Sequence, residues 1–303
     1  MSLARFDGVL APVITPFGED LAPDAALLSK HCHWLVSQGA GLAIFGTNSE
    51  ANSLSVKEKK QLLDALHADG IDTGQMMPGT GACSLSDAVE LTAHAASLGC
   101  RGVLMLPPFY YKGVSDDGLF GFFAEVIERV ADEQLQVYLY HIPPISQIGI
   151  GTELIQRLAE RYPANIAGIK DSSGDWSNTL ELNQLPIEDF RVFCGSESFL
   201  LQNMQHGGAG CISATANVNP AAIVELYRRW QSPDASELQQ KLDQVRNIFQ
   251  SFPMIAALKA ATGGYSGDDS WTRVRPPLVS LADSEQTQLR QQLQTVGFQM
   301  PDI

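Results

Sequence analysis

Asn165-Ile166-Ala167-Gly168-Ile169-Lys170-Asp171-Ser172 is a short apolar run that ends on a lysine and lies between the chain breakers Pro163 and Gly174. Small and branched apolar residues in succession suit a strand that is covered on both faces, as in a parallel sheet. Lys170 would then stand at the carboxyl end of the strand, with its amine partly removed from water. Desolvation disfavours the ammonium and favours the neutral amine, which can attack a carbonyl group. The alternative is a lysine that extends from the strand end into solvent.

The same kind of run recurs along the chain, in alternation with amphipathic helical patterns. Helix start signals include a capping box at Ser55-Val-Lys-Glu58 and a capping residue with a first-turn proline at Asn219-Pro220. The alternation predicts a (β/α)8 (TIM) barrel, with a doubly wound open sheet as the alternative. The eight predicted strands are Val9–Thr15, Gly41–Phe45, Gln75–Gly79, Gly102–Leu106, Gln136–Tyr140, Ile166–Lys170, Phe190–Gly195 and Gly210–Ser213.

The pattern changes after Trp230. Gln231-Ser-Pro-Asp234 has the composition of a linker, and only helical periodicity follows it. An apolar stripe predicts one helix there, and Met254–Ala261 and Glu285–Val296 are further helices. We therefore predict a barrel over residues 1–232 that carries the active site and a C-terminal helical appendage over residues 233–303. The stripe consists of Leu238, Leu242, Val245 and Phe249.

Composition excludes several classes of function. The 303 residues are 45% hydrophobic and 18% charged, which describes a globular protein with a large core. A net charge of −14 argues against nucleic acid and anionic membranes as partners, because phosphate binding needs basic patches. The five cysteines show no CxxC spacing, and no run has transmembrane length or the form of a signal peptide, so we expect a cytoplasmic protein. The six histidines lack metal-ligand spacing, and no nucleotide-binding loop is present.

Three predicted strand ends place chemically useful side chains at one end of the barrel, where such barrels carry their active sites. They supply Thr47, Tyr140 and Lys170. A lysine nucleophile with two hydroxyls that move protons suits Schiff-base chemistry. Backbone amides of Gly46-Thr47-Asn48 would hold a carboxylate without adding positive charge. The alternatives are a core role for Tyr140, a plain turn at Gly46-Thr47, and local pairing for Glu50.

Together these residues resemble the dihydrodipicolinate synthase/N-acetylneuraminate lyase family, the pyruvate-type class I aldolases. The resemblance runs from Gly8 to about Ser280. It is carried by Ala11-Pro-Val-Ile-Thr-Pro-Phe17, Gly46-Thr-Asn-Ser-Glu50, Pro107-Pro-Phe-Tyr-Tyr111, Tyr140 with Pro143, Gly168-Ile-Lys-Asp171 and Gly210-Cys-Ile-Ser-Ala-Thr-Ala-Asn217.

The resemblance implies a role for each matching residue. Lys170 matches the lysine that forms an imine with pyruvate or another 2-oxo acid, Tyr140 the tyrosine that shuttles protons, and Thr47 the hydroxyl that relays them. Asn48 stands beside Thr47 in the carboxylate loop. Tyr111 matches a tyrosine that reaches across a subunit interface into the neighbour's relay. Similar proteins are homotetramers built as a dimer of dimers, and they need no metal or organic cofactor.

Departures from the family pattern concern the aldehyde side of the site. The synthases have an arginine five residues after the strand-end tyrosine, where this chain has Ile145. Sialic-acid lyases have an acidic pair where this chain has Ser196-Glu197-Ser198, of which we expect Ser196 and Glu197 to bind substrate together with Ile212. Ser49 replaces a usual glycine and would be strained if its φ were positive. Asn48 and the run Lys170-Asp-Ser-Ser-Gly-Asp175 are similar to 4-hydroxy-2-oxoglutarate and some 2-keto-3-deoxy-sugar-acid aldolases.

Three functions fit these residues. The first is a class I aldolase or lyase acting between pyruvate and a small aldehyde, with a 4-hydroxy-2-oxo acid or a 2-keto-3-deoxy sugar acid as substrate. The second is a dihydrodipicolinate synthase that condenses pyruvate with aspartate semialdehyde without the arginine. The third is a protein that binds 2-oxo acids without turning them over.

Overall fold

The structure, a computed structural model, describes residues 4–303 and alternates parallel strands with helices. The strands are β1 (Gly8–Ala11), β2 (Gly41–Leu42), β3 (Gly102–Met105), β4 (Gln136–His141), β5 (Ile166–Asp171), β6 (Arg191–Cys194) and β7 (Gly210–Ile212). The helices are α1 (Ala25–Ser37), α2 (Val56–Ala68), α3 (Leu85–Ser97), α4 (Asp116–Val130), α5 (Pro143–Ser146), α6 (Thr152–Arg161), α7 (Trp176–Asn183), α8 (Leu200–Gln205), α9 (Pro220–Arg229), α10 (Ala235–Gln250), α11 (Met254–Ser266) and α12 (Asp283–Thr295).

All seven strands belong to one parallel sheet, in the order β2-β1-β7-β6-β5-β4-β3. The sheet curls so that its two edge strands both bond to the segment between them. On one side the Met77 N–H donates to the Leu42 carbonyl at 2.7 Å, and on the other the Leu104 N–H donates to the Pro78 carbonyl at 2.9 Å. The fold is therefore α/β with a curled parallel sheet, and these bonds are consistent with a closed barrel.

The predicted strand Gln75–Gly79 is wrong as a regular strand. Residues 73–75 form a 3-10 turn, and Met76 and Gly79 make only single bridges to the strands on either side. Pro78 explains the irregularity, because a proline has no N–H to donate to a ladder. The other seven predicted strands are present with ends shifted by a few residues.

The sheet separates two cores, which is why the strands contain few polar residues. Side chains on the concave side, among them Leu10, Leu104 and Tyr138, form a small inner cluster. Those on the convex side, such as Val137 and Leu139, pack against the helices in the larger cluster. Every residue of β4 and β5 is buried, as expected for strands covered on both faces.

The predicted helix starts have mixed outcomes. Ser55 and Glu58 form the capping box at the start of α2, where the Ser55 N–H donates to Glu58 at 2.8 Å and the Glu58 N–H donates to Ser55 at 3.2 Å. Pro220 occupies the first turn of α9, but the Asn219 side chain makes no cap hydrogen bond. Asn219 therefore occupies the predicted N-cap position but does not cap the helix through its side chain.

Helices α10 to α12 follow the last strand, as the periodicity after Trp230 predicts. Leu242, Val245 and Phe249 bury the apolar stripe of α10, and Leu238 is partly buried beside them. Helix α10 also contacts residues 197–199 after β6, so these helices reach the end of the sheet where the strands finish. Within residues 4–303 no helix has the length and apolar content needed to cross a membrane.

Candidate active site

A cavity of about 450 Å³ opens at the carboxyl ends of the strands. The loops after β2, β4, β5, β6 and β7 all contribute to its wall, and α10 and α11 close one side. In parallel barrels this is the end at which active sites are built. Its lining residues include Thr47, Asn48, Tyr140, Ile145, Lys170, Ser196, Ala214, Arg246 and Met254.

Lys170 lies on the cavity wall with only 2% of its surface exposed. Its Nζ is 4.3 Å from the ring centroid of Tyr140, which is 4% exposed. The two residues are register partners on neighbouring strands, so the backbone itself holds them side by side. The amine is therefore shielded from bulk water and lies against a phenol.

A β-bulge turns Lys170 toward the cavity. The pairing of β4 with β5 runs from Val137↔Ile166 directly to Tyr138↔Gly168, so Ala167 is an extra residue on β5. Because side chains alternate between the two faces of a strand, one extra residue exchanges the faces of all that follow. Without this bulge, Lys170 would point toward the outer helices.

Thr47 connects to Tyr140 from the loop after β2. Its Oγ1 and the Tyr140 hydroxyl share a hydrogen bond of 3.1 Å. Thr47 opens a 3-10 turn, and first-turn amides of a helix have no acceptor within it. The Gly46 N–H, however, donates to Ser49 Oγ at 3.1 Å. The backbone amides of Thr47 and Asn48 are therefore free to bind a carboxylate, whereas the sequence predicted that Gly46 would also take part.

The strain expected at Ser49 is instead found on either side of it. Phe45 (φ 61°) and Glu50 (φ 56°) adopt the left-handed conformation, whereas Ser49 does not. Glu50 is held there by an ion pair with Lys259 of α11 and by the Arg275 N–H, which donates to Glu50 at 2.9 Å. Glu50 is therefore paired within the protein, but with partners 209 and 225 positions away rather than locally.

Lys259 is a second buried lysine that the sequence reasoning missed. It is fully buried, and burial lowers its pKa to about 8 although the Glu50 carboxylate opposes that shift. Its Nζ also donates to the Arg273 carbonyl at 2.6 Å. Lys259 is bound on the outer side of the loop and does not line the cavity, so its amine is not placed to meet a substrate.

Asp171 and His141, which adjoin Lys170 and Tyr140 in the chain, are held by hydrogen bonds to neighbouring loops and helices. Asp171 accepts hydrogen bonds from the Ser173 N–H at 2.9 Å and from the Thr179 hydroxyl at 2.6 Å. His141 accepts from the Ile150 N–H at 3.0 Å through Nδ1. Burial lowers the pKa of His141, although the nearby Asp171 charge opposes this. Both side chains therefore support the loops, and Asp171 also lines the cavity.

The residues predicted for the aldehyde side separate into two groups. Ser196 lines the cavity, whereas Glu197 and Ile212 do not, and both are at most 1% exposed. The Glu197 carboxylate accepts short hydrogen bonds from the hydroxyls of Ser213 and Thr215. Its oxygens are thus occupied by the protein, and Ile212 is part of the inner apolar cluster. Neither side chain is placed for direct contact with a substrate.

Arg246 of α10 is a cavity residue that the sequence reasoning missed. Its Nη1 donates to Glu197 at 3.3 Å and to Ser213 at 3.2 Å. One signal was available, because Arg246 is four residues after Leu242 and three before Phe249, on the buried face of the helix. A charged residue within an apolar stripe indicates a buried partner or a site.

Tyr111 lies outside the cavity. It is 73% exposed on the loop between β3 and α4, where its ring meets that of Tyr110 edge-on with centroids 5.3 Å apart. Its predicted part in a neighbour's site therefore stays a prediction. Across residues 4–303 no group of three or more His, Cys, Asp or Glu side chains could hold a metal ion.

Comparison with known proteins identifies a family and individual proteins to which this chain is similar. The model of the dihydrodipicolinate synthetase family matches residues 5–296. A 4-hydroxy-tetrahydrodipicolinate synthase of Desulforamulus reducens is 31% identical over 296 residues, which cover 94% of this chain and 95% of that protein.

Two solved structures are similar over nearly their whole length. YagE, a prophage protein of the dihydrodipicolinic acid synthase family from E. coli K12, was solved in complex with pyruvate. It is 28% identical with a TM-score of 0.88, and the match covers 97% of this chain and all (100%) of that one. A Sulfolobus 2-keto-3-deoxygluconate aldolase in complex with D-KDPG is 25% identical with a TM-score of 0.85, over 96% of each chain.

Proposed function

The chain belongs to the dihydrodipicolinate synthetase family, whose members are lyases, and from that premise we propose that it is a class I aldolase. It makes or cleaves a carbon–carbon bond between pyruvate and a small aldehyde, through an imine on Lys170. The observation that carries the proposal is the buried Lys170 amine beside Tyr140, whose hydroxyl is bonded to Thr47. A shielded amine next to a proton relay is the arrangement that imine formation requires.

In this mechanism the Lys170 amine adds to the ketone carbon and loss of water leaves a protonated imine. In the cleavage direction the C4 hydroxyl gives up its proton, the C3–C4 bond breaks, and its electron pair moves into the imine to form an enamine. Tyr140 accepts and returns that proton, and Thr47 connects it to the loop. Protonation at C3 and hydrolysis release pyruvate and regenerate the amine. The amides of Thr47 and Asn48 hold the pyruvate carboxylate.

The architecture we propose is a (β/α)8 barrel over residues 1–232, in which residues 76–80 take the place of a strand, with a helical domain over residues 233–303. The bonds from Met77 and Leu104 to their neighbouring segments support the closed ring. No cofactor other than the covalent imine is needed. A homotetramer would cover Tyr111, and its high exposure in the single chain supports that assembly.

Borohydride trapping tests the imine. Reduction in the presence of pyruvate should add one reduced pyruvate to the intact mass, and peptide mapping should place it on Lys170. Lys170→Ala should abolish the adduct. Lys259 is the internal control, because it is a buried lysine of lowered pKa that does not line the cavity. An adduct on Lys259, or none at all, would refute the mechanism.

A dihydrodipicolinate synthase is the second candidate. The 31% identity with the Desulforamulus reducens synthase favours it. Ile145, at the position where synthases have an arginine, argues against it, since its side chain has no charge and is 61% exposed at the cavity rim. Turnover of pyruvate with aspartate semialdehyde, measured against turnover with glyoxylate, decides between the two.

A further inference from the structure

Arg246 lies on the cavity wall, on a different element from the lysine that would form the imine. Its helix, α10, lies against the loops that follow β6 and β7, whereas Lys170 is on β5. About a tenth of the Arg246 side chain is exposed, so the guanidinium is largely desolvated but reaches the cavity surface. A desolvated guanidinium binds an anion more strongly than one in bulk water.

The hydrogen bonds of Arg246 leave most of its donors unused. An arginine has five N–H donors, and both of its hydrogen bonds within residues 4–303 come from Nη1. Its Nε is buried with no hydrogen-bond partner in that part of the chain. Nη2 likewise makes no hydrogen bond within those residues, so the guanidinium keeps free donors for a ligand in the cavity.

Glu197 does not satisfy all the hydrogen-bond donors of the Arg246 guanidinium. Its carboxylate is already bound by the hydroxyls of Ser213 and Thr215, and its contact with Arg246 Nη1 is long, at 3.3 Å. The carboxylate therefore orients Arg246 and offsets part of its charge.

One cationic side chain of the described cavity wall takes no part in the imine. Among the lining residues that the structure describes, Lys170, Asp171 and Arg246 are charged. Lys170 forms the imine with the 2-oxo acid. Asp171 accepts hydrogen bonds from Ser173 and Thr179. Arg246 is the lining cation that remains for the aldehyde portion of the substrate.

We propose that Arg246 binds a carboxylate on the aldehyde portion of the substrate, so that the enzyme selects a glyoxylate-type aldehyde over a neutral sugar-derived one. The proposal rests on the aldolase function above and names its substrate class. The planar guanidinium fork matches a carboxylate in a bidentate manner.

Two aldehydes of equal length test this selection. Glyoxylate and glycolaldehyde differ only in a carboxylate against a hydroxymethyl group, and each is condensed with pyruvate. The wild-type enzyme should have the higher kcat/KM with glyoxylate. In Arg246→Gln the ratio of the two kcat/KM values should fall by about 100-fold, mainly through KM for glyoxylate. Arg246→Lys keeps the charge but loses the planar fork of donors. Its ratio of kcat/KM values should lie between those of the wild type and Arg246→Gln.

The ratio of the two kcat/KM values distinguishes a substrate-binding role of Arg246 from a purely structural one. Loss of folded enzyme lowers the measured activity with both aldehydes by the same factor. Equal losses of activity in Arg246→Gln would therefore mean that Arg246 only anchors Glu197, and they would overturn the proposal. So would a wild-type preference for glycolaldehyde, or no turnover of glyoxylate. Lys241→Gln is the matched control, because Lys241 is on the same helix with its side chain 64% exposed and paired to Glu237. Borohydride trapping with pyruvate alone shows separately whether the imine forms.

Discussion

The chemistry we assign to Lys170 depends on the hydroxyl that lies beside it. Tyr140 presents its ring to the amine and its hydroxyl to Thr47. The Tyr140 side chain therefore lies between the amine of the lysine and a second proton carrier. At this scale the site is a chain of three side chains from three different segments.

Removal of that hydroxyl should slow catalysis without removing the cavity. In Tyr140→Phe we expect kcat for aldol cleavage to fall by about 100-fold or more, because a positioned acid–base group contributes about that much. Steady-state kinetics with a 4-hydroxy-2-oxo acid measure the change, and KM should move only a few-fold.

Tyr138→Phe is the control for that experiment. Tyr138 is two residues earlier on β4, where its hydroxyl accepts from the Phe6 N–H at 2.7 Å and donates to Gln136 at 2.9 Å. This variant should lose about 1–3 kcal/mol of unfolding free energy while kcat stays near the wild-type value. Equal kcat losses in both variants would contradict the role of Tyr140.

At the scale of elements, the bulge in β5 determines which face of the strand carries Lys170. The bulge is possible because Gly168 has no side chain where β5 meets β6. A Cβ built on Gly168 would lie 2.2 Å from the carbonyl oxygen of Arg191. No backbone pair tolerates that approach, so a side chain there would separate the two strands or shift their register.

Gly168→Ala should therefore damage both stability and the imine. We expect a loss of about 1–3 kcal/mol in unfolding free energy, the usual cost of overpacking, measured by urea denaturation. The yield of the borohydride-trapped pyruvate adduct on Lys170 should fall in the protein that remains folded. Gly121→Ala is the control, since a Cβ on Gly121 of α4 meets nothing within 4 Å. Wild-type adduct yield in folded Gly168→Ala would show that the bulge does not position Lys170.

At the scale of the whole molecule, a buried histidine connects helix α1 to the C-terminal segment. His31 of α1 is 2% exposed and lies between Trp34 and Trp271, with ring centroids 5.6 Å and 5.0 Å away. Burial lowers its pKa from the usual 6.5 to about 3. The folded protein therefore holds His31 neutral where the unfolded chain would take up a proton.

This makes stability depend on pH. Because the folded pKa is the lower one, the stability from His31 is complete above about pH 6.5 and is lost as the pH falls toward 3. The loss should be about 1.4 kcal/mol per pH unit within that window. Urea denaturation at several values between pH 7.5 and 5 measures it, above the range where most carboxylates titrate.

The comparison variant is His31→Phe, which keeps an aromatic ring between the two tryptophans. Over the same pH range, the unfolding free energy of this variant should fall less steeply than that of the wild type, by the slope that uptake of one proton causes. Some dependence should remain, because burial also lowers the pKa of His141. Identical slopes for wild type and His31→Phe would show that His31 is not responsible.

The sequence by itself determined the alternation of strands and helices, the strand-end residues Lys170, Tyr140 and Thr47, and the helices after Trp230. Those features are local, because burial patterns and capping residues act within a few positions of the chain. Only the tertiary structure decided that Pro78 interrupts the third strand, that a bulge turns Lys170 inward, and that Arg246 of a distant helix reaches the cavity. These features depend on hydrogen-bond register and on contacts between segments far apart in the chain. The local pattern marks Pro78 and Arg246 as unusual residues but does not specify their partners.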